Sequence, residues 1–177
     1  DLWEPHQFSS WAAALLMWPF LLITGNDTTG IVIYLRVIGS LIHLAIGIWF
    51  FLSAQKKFGI FPAAIIAFLH VNFLPKWVSM PEFELLHYWA VCIIFLSLLS
   101  LNENPKQMFW LILAGVAYFT TLLAYPTMLL LYPAYLISIL FLTEKGTKKK
   151  FEAGLLFTLP IALIGFTFLG YLLSYQT

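Results

Sequence analysis

Charged residues are scarce in this sequence: Asp, Glu, Lys and Arg make up 10% of its 177 residues. An ordinary soluble domain carries about 25% of them. The chain is also 62% hydrophobic, with a mean hydropathy of +0.91. A soluble domain of this size cannot hide so much apolar surface. The composition therefore excludes a soluble globular protein and predicts an integral membrane protein.

Cysteine is nearly absent as well, since Cys92 is the single one. This excludes an internal disulfide framework and a multi-cysteine metal site. The net charge of +1 argues neither for nor against nucleic acid, but no basic stripe lies on a soluble face, so nucleic acid is not an expected partner. The chain also lacks a glycine-rich phosphate loop, a G-x-S-x-G element and an H-E-x-x-H motif.

What the sequence does contain is a series of apolar stretches separated by polar turns. They predict an all-α polytopic transmembrane helix bundle of about six spans. The predicted spans are 30–53, 61–74, 84–101, 108–124, 127–142 and 151–175. Five spans are expected instead if the short 61–74 segment is re-entrant. A short re-entrant or interfacial helix broken by Pro19 is predicted over 11–24, and Pro160 is predicted to break the last span.

The whole of 1–177 is interpreted as a single transmembrane domain. Residues 1–28 are predicted to form an outer loop and interfacial helix, and 29–177 the helix bundle. The chain begins at Asp1 without a signal peptide, which indicates a fragment of a longer chain or a processed chain.

Lysines in alternate loops predict the orientation. These are Lys56, Lys57, Lys106, Lys145, Lys148, Lys149 and Lys150. Loops rich in lysine remain on the cytoplasmic side. We therefore expect these loops on the cytoplasmic side and the Asp1 loop on the outer side of the membrane.

The 30–53 span holds one charge, Arg36. A charge at the centre of a span costs roughly 2.5–3.5 kcal/mol on insertion scales and needs a partner or a water-filled cavity. His43 follows seven residues later on the same predicted helix face. That face also carries the small residues Gly39, Ser40 and Gly47. Two interpretations stay open: a close-packed interface with a snorkelling arginine, or a cavity that holds an anionic group.

Other candidate side chains collect on the predicted outer side. They are Asp1, Glu4 and His6 in the first loop, His70, Asn72 and Lys76 after the 61–74 stretch, and Glu84, His87 and Tyr88 at the start of the next span. The alternative is an ordinary interfacial belt, which also accounts for Trp3, Trp77 and Trp89. No cofactor is specified, although these carboxylate and imidazole groups leave a divalent cation open.

Several of these motifs occur together in a known class. The outer loop holds WEPHQ, the turn TGNDTTG precedes a span that carries YLR, and AYPT joins two spans before a lysine-rich loop. This pattern is similar to polytopic glycosyltransferases of the C superfamily, in particular uncharacterised bacterial members with a Trp-Glu-Pro-His-Gln loop. The resemblance implies a protein of the bacterial cytoplasmic membrane, a lipid-phosphosugar donor and a catalytic Asp or Glu in the first outer loop. It also implies a span before Asp1 and further spans, so that this chain is the amino-terminal part.

Under that resemblance, Glu4 is the expected catalytic base, with Asp1 as its helper or a metal ligand. Arg36 is expected to bind the donor phosphate through two parallel hydrogen bonds. The predicted partners are membrane lipid and a polyprenyl-phosphate sugar donor, bound with help from His6, His43, Lys76, Glu84 and His87. The alternatives are a six-span solute-binding or transport subunit and a structural membrane subunit.

Overall fold

A computed structural model describes residues 5–74, 81–101, 107–143 and 146–174. Every element in these ranges is helical, which confirms the all-α prediction. The α-helices are α1 Pro5–Thr24, α2 Ile31–Phe58, α3 Ile60–Asn72, α4 Phe83–Ser100, α5 Gln107–Ala124, α6 Tyr132–Leu142 and α7 Thr147–Ser174. A 3-10 helix, Pro126–Leu131, lies between α5 and α6.

Within the described ranges, four helices are long and apolar enough to cross a membrane: α2, α4, α5 and the Thr147–Thr167 part of α7. The six predicted spans are therefore not confirmed, because α3 and α6 are short. The 13 residues of α3 extend over about 20 Å, which is less than a hydrocarbon core of about 30 Å. The structure is that of an integral membrane protein with four helices of spanning length.

Two predicted helix breaks do not occur. Pro19 lies inside α1 and Pro160 inside α7, and both helices continue through their proline. A proline removes one backbone hydrogen bond, and the bonds on either side can hold an apolar helix together. The predicted span 127–142 is instead divided, because the chain leaves α5 through the 3-10 helix and starts α6 at Tyr132, one residue before Pro133.

The described residues divide into two compact units, one that extends to Trp89 and one that starts at Ala90, so that the boundary falls within α4. In the first unit, the predicted turn after α1 is present. Gly25 and Asn26 adopt left-handed conformations, with φ of 62° and 69°. The Asn26 N–H donates to the Leu21 carbonyl at 2.9 Å, closing the end of α1. The Phe20 and Tyr34 rings, 4.9 Å apart, then join α1 to α2.

A single residue, Gly59, separates α2 from α3. Its φ of 87° suits glycine, which has no Cβ to oppose a left-handed backbone. The Gly59 N–H donates to the Gln55 carbonyl at 3.1 Å, and Pro62 lies in the first turn of α3, where proline is tolerated. The chain therefore turns back at once, and α3 packs against α2 as a tight hairpin.

In the second unit, α5 packs against α7 where Gly115 meets the backbone of Phe157. The buried core includes Tyr118, Phe157 and Ile139. The Tyr118 hydroxyl donates to the Met128 carbonyl at 2.6 Å, which holds the 3-10 helix to α5. Tyr132 bonds Thr158 at 2.6 Å and links α6 to α7.

Candidate functional site

Two of the four histidines, His43 on α2 and His70 on α3, are buried against each other in the first unit. His43 is 3% exposed and His70 is 5% exposed. Their rings stack, with centroids 4.3 Å apart and planes inclined by 23°. A Cβ added at Gly47, one turn after His43, would lie 2.7 Å from Val71 Cγ2. The missing side chain of Gly47 thus lets α3 come close enough for the two rings to meet.

The two histidines exchange hydrogen bonds with each other's backbone. His43 Nε2 lies 2.8 Å from the carbonyl oxygen of His70. His70 Nε2 lies 3.1 Å from the carbonyl oxygen of His43. Because a carbonyl oxygen can only accept, each Nε2 carries a hydrogen and donates it. The pair therefore joins α2 and α3 by two reciprocal bonds in an apolar setting.

Trp89, from α4, completes the hydrogen bonding of His43. Its indole Nε1 lies 3.1 Å from His43 Nδ1. An indole N–H only donates, so His43 Nδ1 accepts and carries no hydrogen. With Nε2 donating and Nδ1 accepting, His43 is a neutral imidazole whose two nitrogens are both occupied by protein groups.

Tyr88 is the hydrogen-bond partner of His70 Nδ1, as Trp89 is of His43 Nδ1. The Tyr88 hydroxyl lies 2.8 Å from His70 Nδ1, and the two rings stack at 5.5 Å. A hydroxyl can donate or accept. When His70 is neutral, Tyr88 donates to it, whereas a protonated His70 would donate to Tyr88. Tyr88 is half-buried, so it connects the enclosed histidines with the less buried side of α4. We call His43, His70, Tyr88 and Trp89 the histidine cluster.

The histidine cluster is not arranged as a metal centre. A metal would need a ring nitrogen lone pair, and that of His43 is directed at the Trp89 N–H. Across the described ranges, no three His, Cys, Asp or Glu side chains come together in a metal-binding group. The cluster instead offers a chain of hydrogen bonds that can change direction at one point, between His70 and Tyr88.

Arg36 lies apart from the histidine cluster. It is exposed, and it lines a shallow groove on α2 with Ile33, Val37, Ser40, Leu41 and Leu44. Gly39, His43 and Gly47 are buried. The predicted common face is therefore divided into an exposed part and a packed part. The physical reason is the length of α3, which runs antiparallel to α2 and ends at Asn72, two residues beyond His70. It does not extend along α2 as far as Arg36.

The remaining predicted site residues are placed as follows. Glu84 lies in the first turn of α4, where a carboxylate is favoured by the positive end of the helix dipole. His87 follows one turn later, and both side chains are half-buried. Asp1, Glu4 and Lys76 lie outside the described residues, as does the side chain of His6.

Sequence reasoning named Tyr88 as a candidate but missed the part that Trp89 plays in this site. The interfacial-belt alternative accounted for Trp89, which is instead 5% exposed and bonded to His43. Trp89 is the seventh residue of α4. The available signal was the occurrence of a Tyr-Trp pair within one apolar stretch and of histidines within two others. Buried Tyr and Trp usually find a polar partner.

No family model, curated protein or solved structure matches the chain.

Proposed function

We propose that this chain belongs to an integral-membrane glycosyltransferase that uses a polyprenyl-phosphate sugar donor, and that Arg36 holds the donor phosphate. The observation that carries the proposal is the exposed guanidinium of Arg36 on an otherwise almost entirely apolar helix face. A permanent cation at a helix surface of spanning length needs an anion or water, because the hydrocarbon core offers neither.

The groove around Arg36 suits an amphiphilic anion. Its other polar lining residue is Ser40, and the rest are aliphatic: Ile33, Val37, Leu41 and Leu44. A guanidinium binds a phosphate through two parallel hydrogen bonds, and aliphatic side chains suit an isoprenoid tail. This combination favours a lipid phosphate over a small soluble anion, which would gain nothing from the apolar lining.

Transfer of the sugar also needs a base for the acceptor hydroxyl. Glu4 is the proposed base and Asp1 its proposed helper, on the grounds of the WEPHQ loop alone. Arg36 would stabilise the negative charge on the departing phosphate, as a preorganised cation does in other phosphate-releasing reactions. In this scheme the base acts on the incoming acceptor hydroxyl, and the cation acts on the phosphate that leaves the sugar.

The test is a comparison of undecaprenyl phosphate with undecaprenol, which has the same tail and no phosphate. Binding is measured for the protein in lipid nanodiscs. A hydrogen bond to a charged group contributes about 1.5–3 kcal/mol, so Arg36→Leu should weaken phosphate binding roughly 10- to 150-fold. Arg36→Lys should recover part of the loss, because it restores the charge without the two parallel bonds.

Lys148→Leu is the matched control, since it removes the same charge from an exposed position at the start of α7. It should change the affinity for undecaprenyl phosphate less than twofold. If Arg36→Leu binds the phosphate as well as the unaltered protein, the role of Arg36 is refuted. Tight binding without any sugar transfer by the intact protein would favour a solute-binding or transport subunit. The absence of binding would favour a structural subunit.

A further inference from the structure

We infer that the histidine cluster is a proton-binding site: it takes up one proton, at His70, through a reversal of the hydrogen bond between His70 and Tyr88. This inference does not depend on the proposed function. It follows from which atoms in the histidine cluster can donate, which can accept, and which can do both.

In the neutral state every hydrogen in the cluster has an assigned place. Trp89 donates to His43 Nδ1, and His43 Nε2 donates to the His70 carbonyl. His70 Nε2 donates to the His43 carbonyl, so Tyr88 must donate to His70 Nδ1. The histidines are both hydrogenated on Nε2, and each uses Nδ1 as an acceptor.

A proton cannot enter at His43 without breaking a bond. A hydrogen on His43 Nδ1 would face the Trp89 N–H, and an indole nitrogen cannot become an acceptor. The buried indole N–H and the new imidazolium N–H would both lose their partner. Leaving a buried donor unsatisfied costs about 1–3 kcal/mol, and more for a charged group.

A proton can enter at His70 with every contact kept. His70 Nδ1 would then donate to the Tyr88 oxygen, which lies 2.8 Å away in either direction of the bond. The Tyr88 hydroxyl rotates so that its own hydrogen points away from His70 Nδ1. Because Tyr88 is half-buried and the histidines are buried, the hydroxyl is also the member of the cluster through which the proton can arrive.

The titratable groups that face His70 come from both neighbouring helices. His43 stacks on it from α2, and Tyr88 bonds it from α4. Glu84 and His87 lie on α4, within the turn before Tyr88. A cation on His70 would be close to neutral His43, which is unable to share the proton while Trp89 donates to it. The site therefore holds one proton and not two.

The test uses nuclear magnetic resonance of the protein in lipid nanodiscs, with 15N-labelled histidine side chains. At neutral pH, His43 and His70 should both show a hydrogen on Nε2 and none on Nδ1. On acidification, His70 should become an imidazolium before His43. The Trp89 indole signal should remain in place during that first step. His70→Asn and His87→Asn assign the signals by the loss of one resonance each.

Two variants distinguish proton binding from simple packing. Trp89→Phe removes the donor that blocks His43, so His43 should begin to take up the proton in competition with His70. Tyr88→Phe should move the titration midpoint of His70 and leave the His43 tautomer unchanged. The inference is overturned if His43 of the unaltered protein is protonated first, or if His70 carries its hydrogen on Nδ1. Both of these outcomes are read from the unaltered protein, so they do not depend on whether the variants fold.

Discussion

The contact between α5 and α7 gives a quantitative prediction for Gly115→Ala. A Cβ at Gly115 would collide with the carbonyl oxygen of Phe157 and lie 3.2 Å from Pro160 Cγ. Neither obstacle is the end of a flexible side chain. The carbonyl is fixed in the backbone of α7 and the proline ring cannot rotate, so the two helices must move apart.

The magnitude follows from two opposing effects. Overpacking typically costs about 1–3 kcal/mol, and a collision with backbone belongs in the upper part of this range. Alanine is favoured over glycine in a helix by about 0.8–1.0 kcal/mol. The net loss expected for Gly115→Ala is therefore about 1–2 kcal/mol, which lowers the ratio of folded to unfolded protein roughly 5- to 30-fold.

The matched control is Gly154→Ala in α7. There a Cβ would meet Leu136 Cδ1 at 3.5 Å and Leu140 Cδ2 at 3.9 Å, which are ordinary contacts with flexible side chains. This variant should be neutral or up to about 1 kcal/mol more stable. Unfolding in mixed micelles by added SDS, followed by circular dichroism, compares the two. If Gly115→Ala unfolds at the same or a higher SDS fraction than Gly154→Ala, the close approach of α5 and α7 is wrong.

The other predictions concern the loops and the ends of the spanning helices. The Thr29 N–H donates to Asp27 Oδ1 at 2.8 Å and lowers the pKa of that carboxyl. Since the folded-state pKa is the lower one, the stabilisation from this bond should be complete above about pH 4 and be lost as the pH falls further. The lysine pattern requires the 3-10 helix and α6 together to complete one crossing, because the four long helices alone would place Lys148 and Glu84 on the same side. Cysteines placed at these two positions in a cysteine-free background should therefore react with impermeant reagents from opposite sides of the membrane. Glu4→Gln should lose at least about 100-fold in sugar transfer while it still binds donor.

Each of these predictions has a contradicting result. If the Asp27 carboxyl titrates with the same midpoint as aspartate in an unstructured peptide, the hydrogen bond from Thr29 is absent. Labelling of positions 148 and 84 from the same side would refute the orientation. Normal turnover in Glu4→Gln, with loss in Asp1→Asn, would transfer the role of base to Asp1.

The parts of the fold that depend on local chemistry were predictable from the sequence. The spans 84–101 and 108–124 agree with α4 and α5 to within a residue at each end. The turn at Gly25 and Asn26 was also expected, because both residues tolerate a positive φ. Hydropathy and turn residues act over a few positions, and a sequence displays them directly. The effect of a proline within an apolar helix is less local. Pro19 and Pro160 were both expected to break a helix, and neither does so.

The candidate site was less predictable because its contacts are distant in sequence. Helical periodicity placed Arg36 and His43 on one face, but which part of that face is covered depends on where α3 ends. The bond between His43 and His70 spans 27 positions, and that between His43 and Trp89 spans 46. The spacing of residues within one helix does not predict such contacts. To predict them, one must know that α2 and α3 form a hairpin at Gly59 and that α4 packs beside it.

The histidine cluster also implies an order of assembly during membrane insertion. The hydrogen bonds between His43 of α2 and His70 of α3 need no residue of α4, since each histidine donates to the backbone carbonyl of the other. The α2–α3 hairpin can therefore form alone. Until α4 emerges, His43 Nδ1 and His70 Nδ1 have no Trp89 or Tyr88 to bind. These two residues are adjacent in sequence, yet they reach histidines on separate helices. We therefore expect α4 to dock onto a hairpin already in register, because a displaced hairpin would present neither Nδ1 acceptor to Trp89 and Tyr88.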